Sequence, residues 1–566
     1  MKTTAQTKKQ TRLQPKIVEC MKGYSGKQLT KDIIAGILVA VIAFPLSVAL
    51  AISSGMSPET GLYSAIIGGF FVSLLGGSKV NIGGVTAATV MTVFTIIEQF
   101  GLTGLAVASM LAGIILIVFG LLRAGVLLRY IPRTITLGFT AGIAMGIFSG
   151  QLKGFFGLSM GAIPVKVLDK FVAYSKVIDT IHMPTLLVGL LALVVLIVIP
   201  KIKYINKIPN SLAAILVTTP VVLWMNARDM GVATIRSVYG EIPSNFPMPK
   251  MPKITLELVE AVLPSAFTMA ILIAIVSLLA CVVTDGLTGE RHDSNQELIA
   301  QGVANIFCGL FGAAPVAGAV ARASNSVKSG GRTPIAGIVH SIFVTVILLC
   351  MMPLAAYIPM PTLAAILILV AYNMSNWREF VLIGKTAPLH DFLVLMATFI
   401  AGVVVDLLFA VEVGVLLSAV LFLRNVSNTA TIRKWTDFNE DTREKPLQPG
   451  QIREVPKNTL VYEIDGPMFF ATIDELIGKM EVHRKTDVII IRMRGVQTVD
   501  FTAIRALENL LAICQRKNIQ LIFSHTLAKP MEVMRKAKYI EKVGEENFCE
   551  NIDAAIARAK QFVDEI

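Results

Sequence analysis

The chain has 566 residues, of which 54% are hydrophobic and 16% charged, whereas soluble globular proteins carry roughly a quarter charged residues. Its formal charge of +12 would suit a nucleic-acid binder, but the basic residues gather in a terminal arm and in short loops between apolar runs, so no nucleic-acid partner is expected. The six cysteines form no CxxC pair and the six histidines show no HExxH spacing, which argues against a zinc site, a disulfide framework or an enzyme, and no cofactor is expected.

Residues 1–31 form a basic arm with Lys8, Lys9, Arg12, Lys16, Lys22, Lys27 and Lys31. The arm lacks the signal-peptide order of basic region, short apolar region and small-residue cleavage site. A basic arm ahead of the first span places the N-terminus in the cytoplasm.

Residues 32–426 are apolar with sparse charges. Windows such as Ile33–Ser54, Thr185–Pro200 and Phe392–Phe422 hold few or no charges over the length a bilayer demands. They predict a polytopic α-helical membrane protein with about fourteen inserted segments in a lipid bilayer. The exits of even-numbered segments are basic: Lys79, then Arg123, Arg129 and Arg133, then Lys201, Lys203 and Lys207. Arg291 follows, then Lys328 and Arg332, Arg378 and Lys385, and Arg424. Those loops are therefore read as cytoplasmic. An even count returns the tail to the cytoplasm as well, in a cytoplasmic (inner) membrane.

Two stretches are too rich in small residues and breakers for plain spanning helices. GGSKVNIGGVTAAT, Gly76 to Thr89, falls in the third segment of the first seven, with a helix expected from about Thr86. GAAPVAGAVARASN, Gly312 to Asn325, falls in the third segment of the second seven. Because seven is odd, the second set has inverted topology. Corresponding broken segments in two halves point to a transporter's binding site. The helix starts they create offer unpaired N–H groups and a favourable dipole to an anion. Arg322 adds a full positive charge; the competing reading is that it sits at the cytoplasmic end and snorkels. The pair Gly83–Gly84 also fits close helix packing.

Coupling ions need intramembrane carboxylates. The candidates are Glu98, Asp285, Glu297, Asp391, Asp406 and Glu412. Each reads as a helix end, cap or turn residue rather than a proton carrier; Glu297, in the first turn of its helix, complements the dipole there.

Residues 427–450 read as a linker and 451–566 as a small α/β domain. TLVYEI (Thr459–Ile464), DVIIIRM (Asp487–Met493) and IQLIFS (Ile519–Ser524) predict strands. Helices are expected over Thr472–His483, Phe501–Gln515, Ala528–Lys538 and Ile552–Phe562. No phosphate-binding loop occurs. Thr502 stands at a helix start, where its hydroxyl is either a local helix-start group or a regulatory phosphoacceptor or ligand contact.

Long motifs in a fixed order carry a family resemblance. DIIAGILVAVIAFPLSVALAISSGMSPETGLYSAIIGG comes first, then TGERHDSNQELIAQGVANIFCGLFGAAPVAGAVARASNSVKSGGRTPIAGIVH, then HDFLVLMATFIAGVVVDLLFAVEVGV. Over nearly its whole length the chain resembles the SulP-type inorganic anion transporters (sulfate permease-like). Its tail, with GPMFFAT and VDFTAIRALENL, resembles a STAS domain. The resemblance implies 7+7 inverted repeats arranged as core and gate domains, a homodimer, and elevator-like alternating access. It implies an anion site at Leu46, Leu50, Thr86, Ala87, Ala321 and Arg322.

Three departures bear on mechanism. The family's GGPTG is Gly83-Gly84-Val85-Thr86-Ala87 here, and losing proline restores a backbone donor. The acidic residue of the family's eighth segment is replaced by Val276, so coupling to H+ or Na+ is left open. The STAS turn reads Asp500-Phe501-Thr502-Ala503 without its glycine. The expected function is secondary transport of a small inorganic or carboxylate anion such as sulfate, bicarbonate, chloride or a dicarboxylate. The alternatives are an anion channel or an anion sensor signalling through the STAS domain. A nucleobase–proton symporter of the same fold would want carboxylates at the coupling positions of the eighth and tenth segments, and these are absent: the central part of the eighth, AILIAIVSLLACVV, has no acid.

Overall fold

The computed structural model describes residues 13–126, 132–161, 163–202, 208–405, 407–434, 455–478 and 486–565. Lys8, Lys9, Arg12, Arg129, Lys203, Lys207, Asp406, most of the expected linker and the end of the helix expected over 472–483 lie outside the described residues. The chain divides into a unit spanning Met1–Val415 and a second spanning Leu416–Ile566.

Among the described residues, fourteen membrane segments follow in order. Segment 1 is Gly26–Ser53 and segment 2 is Pro58–Leu75. Ser25 starts segment 1 by accepting the Gln28 N–H at 3.3 Å. Segments 3 and 4 form one helical run, Ala87–Leu121, broken at Gly101 with φ 67°. That backbone angle is open to glycine and strained for residues with a Cβ. Segment 5 is Arg133–Phe156, segment 6 Met183–Val198 and segment 7 Asn210–Asn226. The second seven are Leu256–Thr288, Ser294–Leu310, Val320–Lys328, Ile335–Ala355, Met360–Ser375, Leu389–Val404 and Leu407–Ser427. Among the described residues, nine helices are long and apolar enough to cross a membrane, and one of them is the run that carries segments 3 and 4.

These segments sort by packing into two groups. Segments 1, 2, 3, 4, 8, 9, 10 and 11 pack on one another; segment 9 lies along the run of segments 3 and 4, and segment 11 lies against segments 1 and 2. Segments 5, 6, 7, 12 and 13 form the other group, centred on the packing of segments 12 and 13 against segment 5. Each half of the sequence contributes its first four segments to the core group and later ones to the gate group, the order that inverted repeats require. Small residues let these helices close up: a Cβ on Gly113 would lie 2.5 Å from the Gly302 carbonyl, and one on Gly302 2.5 Å from the Gly113 carbonyl.

Segments 3 and 10 are indeed broken. Strand β1 (Gly83–Gly84) precedes segment 3 and β2 (Ala317–Gly318) precedes segment 10. They pair antiparallel, Gly83 opposite Gly318 and Gly84 opposite Ala317. Extended backbone inside a membrane protein must find partners within the protein, and each strand supplies them for the other.

The second unit holds a five-stranded sheet in the order β3-β4-β5-β6-β7. Strands β4 (Thr459–Asp465), β5 (Val488–Gly495), β6 (Gln520–Ser524) and β7 (Phe548–Cys549) are parallel neighbours. Strand β3 (Thr431–Lys434) pairs antiparallel with β4. The sheet therefore begins inside the stretch expected as a linker, because a four-residue edge strand of Thr, Ile, Arg and Lys has too little apolar alternation to announce itself. The central strand β5 is buried along most of its length, as its Val-Ile-Ile-Ile run requires of a strand covered on both faces.

Candidate functional site

The β1–β2 pair sets two helix starts side by side. Segment 3 begins at Ala87 behind Thr86, which has extended backbone and no side-chain cap. The Thr86 hydroxyl is nearly buried and has no hydrogen-bond partner. Segment 10 begins at Val320 behind Ala319, also without a side-chain cap. The first N–H groups of a helix have no partner within it, so both starts offer donors and the positive end of a dipole.

Arg322 is 1% exposed, so its side chain turns inward rather than to the surface. Its Nη1 donates to the Gly83 carbonyl and its Nη2 to the Ser47 hydroxyl, each at 2.9 Å. Its Nε has no partner, and no ion pair to Arg322 occurs among the described residues. The guanidinium thus ties segment 10 to β1 and to segment 1 while keeping its charge uncompensated. A Cβ on Gly84 would lie 1.5 Å from Arg322 Nη1; the glycine is what lets the guanidinium lie against the strand.

The six expected site residues divide by exposure. Ala321 is exposed at the start of segment 10, next to Val320, which was not among the six, and Leu46 is half-buried. Leu50, Thr86 and Ala87 are buried or nearly so. Arg322 lies behind the strand pair rather than beside Ala321 on its open face.

Other side chains hold this arrangement, and of these sequence reasoning singled out Glu297 alone, as a first-turn acid. Asn305 of segment 9 clasps Val316, its Nδ2 donating to the Val316 carbonyl and its Oδ1 accepting the Val316 N–H, both at 2.9 Å. Ser277 of segment 8 accepts the Gly318 N–H at 2.9 Å. Glu297 is wholly buried and accepts four hydrogen bonds: from the N–H groups of Gly77 and Ser78, from Asn81 Nδ2 at 2.7 Å and from Gln301 Nε2 at 3.0 Å. It staples segment 9 to the loop ahead of β1, a larger task than complementing its own helix start. The N-cap of that helix is Asp293, which accepts the N–H groups of Asn295 and Gln296. His340 of segment 11 is also fully buried, with neither ring nitrogen hydrogen-bonded.

A cavity of about 520 Å³ opens between segments 1 and 3 of the core group and segments 5 and 12 of the gate group. Ala49, Ser53, Val90 and Met91 line its core side, and Gly150 and Ala364 line the gate side. Met91 is one helical turn beyond Ala87. The cavity thus stops just short of the expected site residues, none of which lines it.

In the second unit, Asp500 rather than Thr502 caps helix Phe501–Arg516, accepting the Ala503 N–H at 2.8 Å. Asp500 also accepts the Phe470 N–H at 3.0 Å. Thr502 is exposed in the first turn.

Comparison with known proteins places both units. The model of the sulfate permease family matches residues 29–398, and that of the STAS domain matches residues 451–555. The chain is 36% identical over 534 residues to "Putative sulfate transporter YvdB" of Bacillus subtilis (strain 168), covering 94% of this chain and 98% of that protein. It is 28% identical over 537 residues to "Bicarbonate transporter BicA" of Picosynechococcus sp. (strain ATCC 27264 / PCC 7002 / PR-6), covering 91% and 92%. The solved structure of SLC26A9 superposes with a TM-score of 0.86 at 18% identity, over 100% of this chain and 95% of that one, a likeness of fold.

Proposed function

The chain belongs to the sulfate permease family, a family of membrane transporters rather than enzymes, and from that premise we propose that it is a secondary transporter of a small anion: sulfate, bicarbonate, chloride or a dicarboxylate. Two uncapped helix starts and a buried guanidinium without a counter-ion carry this reading. All three are positive features gathered on one strand pair, and none has a carboxylate to neutralise it. The donors are fixed by backbone, so they attract charge and volume rather than one particular anion.

Ala321 and Val320 stand at the open start of segment 10, and Leu46, Leu50, Thr86 and Ala87 border the anion from segments 1 and 3. Arg322 acts from behind the strand pair through its field. The core group carries the anion past the gate group in an elevator-like movement, and the cavity along their boundary is the path it follows. Val276 stands in a central part of segment 8, AILIAIVSLLACVV, that has no carboxylate for H+ or Na+, which favours uniport, exchange or coupling through another group. The protein works as a homodimer in a cytoplasmic (inner) membrane with both termini in the cytoplasm. Thr502, exposed on its helix, is open to modification or to a regulatory ligand.

Uptake of labelled anions by proteoliposomes, with a competition panel and with or without pH and sodium gradients, tests the proposal. Saturable uptake competed by small anions supports it. Uptake that rises steeply with an inward proton gradient would sink the uncoupled version, and no anion uptake at all would sink the transporter.

A further inference from the structure

Between segments 5 and 6 lies a ten-residue amphipathic helix, Val167–Lys176. Its buried residues are Val167, Lys170 and Tyr174, spaced three and four apart along one face. A lysine therefore stands in the middle of the stripe that the helix turns inward. Lys170 is 4% exposed, and its Nζ reaches the core–gate cavity, whose wall it helps to form. The hydrogen-bond partner of that Nζ is the sulfur of Met91, 3.8 Å away. A thioether is a weak acceptor, and an ammonium has three donors to satisfy.

Of the other polar side chains on the cavity, Gln151, Ser53, Lys153, His182 and Thr185 are engaged, and Tyr239 presents a neutral hydroxyl. Gln151 donates to the Ser53 hydroxyl at 3.1 Å, Lys153 to the Gly161 carbonyl at 2.9 Å, and His182 Nδ1 shares a hydrogen bond with Thr185 at 2.8 Å. Among the described residues, no aspartate or glutamate lines the cavity. The segment 5 backbone passes close by: a Cβ on Gly150 would lie 3.9 Å from Nζ, in ordinary contact. Met91 and Ala87 share segment 3 one turn apart, so the ammonium stands over the approach to the helix starts.

We propose that Lys170 forms an outer anion site: it holds the small anion in the cavity before the anion passes to the starts of segments 3 and 10. This rests on the reading of the protein as an anion transporter and extends it to a residue outside the expected site. The ammonium gives the cavity its one cation without an oxygen partner among the described residues, and an inorganic or carboxylate anion supplies the acceptor oxygens or halide it lacks. Burial amplifies the attraction by removing competing water, and focusing of charge in a low-dielectric cleft raises the local concentration of the anion. Such a site acts on capture rather than on the carrying movement.

The test is uptake kinetics in proteoliposomes with sulfate, bicarbonate and chloride as the probes, comparing wild type, Lys170→Met and Lys170→Arg. Replacing the charge by methionine is expected to raise KM about tenfold, the order set by one unit charge at short range, with the maximal rate within about twofold. Arginine should keep KM near the wild-type value. Lys170→Cys gives a version that does not depend on the methionine variant folding. Treating that variant in membranes with an ammonium-bearing methanethiosulfonate should restore a low KM, and a sulfonate-bearing one should not. Wild type under the same reagents sets the baseline, because the chain carries six native cysteines. An unchanged KM in Lys170→Met, or equal effects of the two reagents on Lys170→Cys, overturns the outer site while leaving the transporter reading intact. Absence of anion uptake by the wild type overturns both.

Discussion

Glu297 and Arg322 are both buried ionisable groups, one bonded to the loop ahead of β1 and the other to β1 itself, and they are treated in opposite ways. The carboxylate receives four hydrogen bonds, two of them from backbone, and joins segment 9 to the loop ahead of β1. The guanidinium makes two hydrogen bonds, keeps an unpartnered Nε and meets no acid. A buried charge with its hydrogen-bonding capacity filled holds structure together; one left partly unfilled keeps its field for something else. The pair separates scaffold from proposed site within one small region.

The largest effect is expected on the scaffold side. Glu297→Ala strands the N–H groups of Gly77 and Ser78 and the amides of Asn81 and Gln301 without their acceptor. It should lower stability by about 3–5 kcal/mol, read as loss of monodisperse protein after heating. Glu297→Gln keeps an acceptor oxygen for part of the set and should fall between the two. If Glu297→Ala matched wild type in stability but lost transport, the staple would be part of the site and the comparison would break.

Next come changes on the site side. Arg322→Met should cost little stability, within about 1–2 kcal/mol, since it removes a buried unpaired charge along with two hydrogen bonds. Its KM for anions should rise at least about tenfold. Gly84→Ala should act through the same group, because its Cβ would fall 1.5 Å from Arg322 Nη1 and must displace it. The double variant should then be no worse than the more severe single one, as for residues that act as a unit. Full additivity would detach the glycine from the arginine.

A smaller effect concerns external pH. Burial pushes the Lys170 ammonium down to about 8, so its charge is present below pH 8 and is lost as pH rises past it. KM should therefore climb between external pH 7 and 9, and Lys170→Arg should flatten that climb. The ionisable groups around it are Lys153 from segment 5, His182 ahead of segment 6 and Tyr239 ahead of segment 8. On its own helix are Asp169, Tyr174 and Lys176, with Lys166 at the N-cap and Asp179 in the following turn; segment 3 presents Met91, and segment 13 carries no charge after Asp391. The same profile in Lys170→Arg would assign the dependence to one of those groups. The smallest effect is that of Thr502→Ala, which removes an exposed hydroxyl and should stay within about 0.5 kcal/mol of wild type.

The sequence carried the plan of the site but not its joints. Two stretches of glycine, alanine and proline at matching places in two halves announced broken helices. Nothing local to Gly83–Gly84 says that it pairs with Ala317–Gly318, because that partner lies more than two hundred residues away. Glu297 looked like an ordinary first-turn acid, since a carboxylate at a helix start is favourable whether or not it is buried. Its staple depends on Asn81 and on two backbone N–H groups from another segment. Lys170 did leave a signal: a lysine inside the Val167, Tyr174 stripe of an amphipathic helix breaks the usual separation of faces. The direction taken by Arg322 was not readable at all, because it follows from the space left by Gly84 and the position of Ser47.

Anion-dependent stabilisation of the purified protein tests the central claim most directly. A ligand that binds the folded state raises stability by RT ln(1 + [L]/Kd), so titrating sulfate, bicarbonate or chloride at constant ionic strength should raise the melting temperature of the wild type in a saturable way. The account predicts that Arg322→Met shifts that titration to about tenfold higher concentration while leaving the anion-free melting temperature nearly unchanged. Superimposable titrations of wild type and Arg322→Met would contradict it.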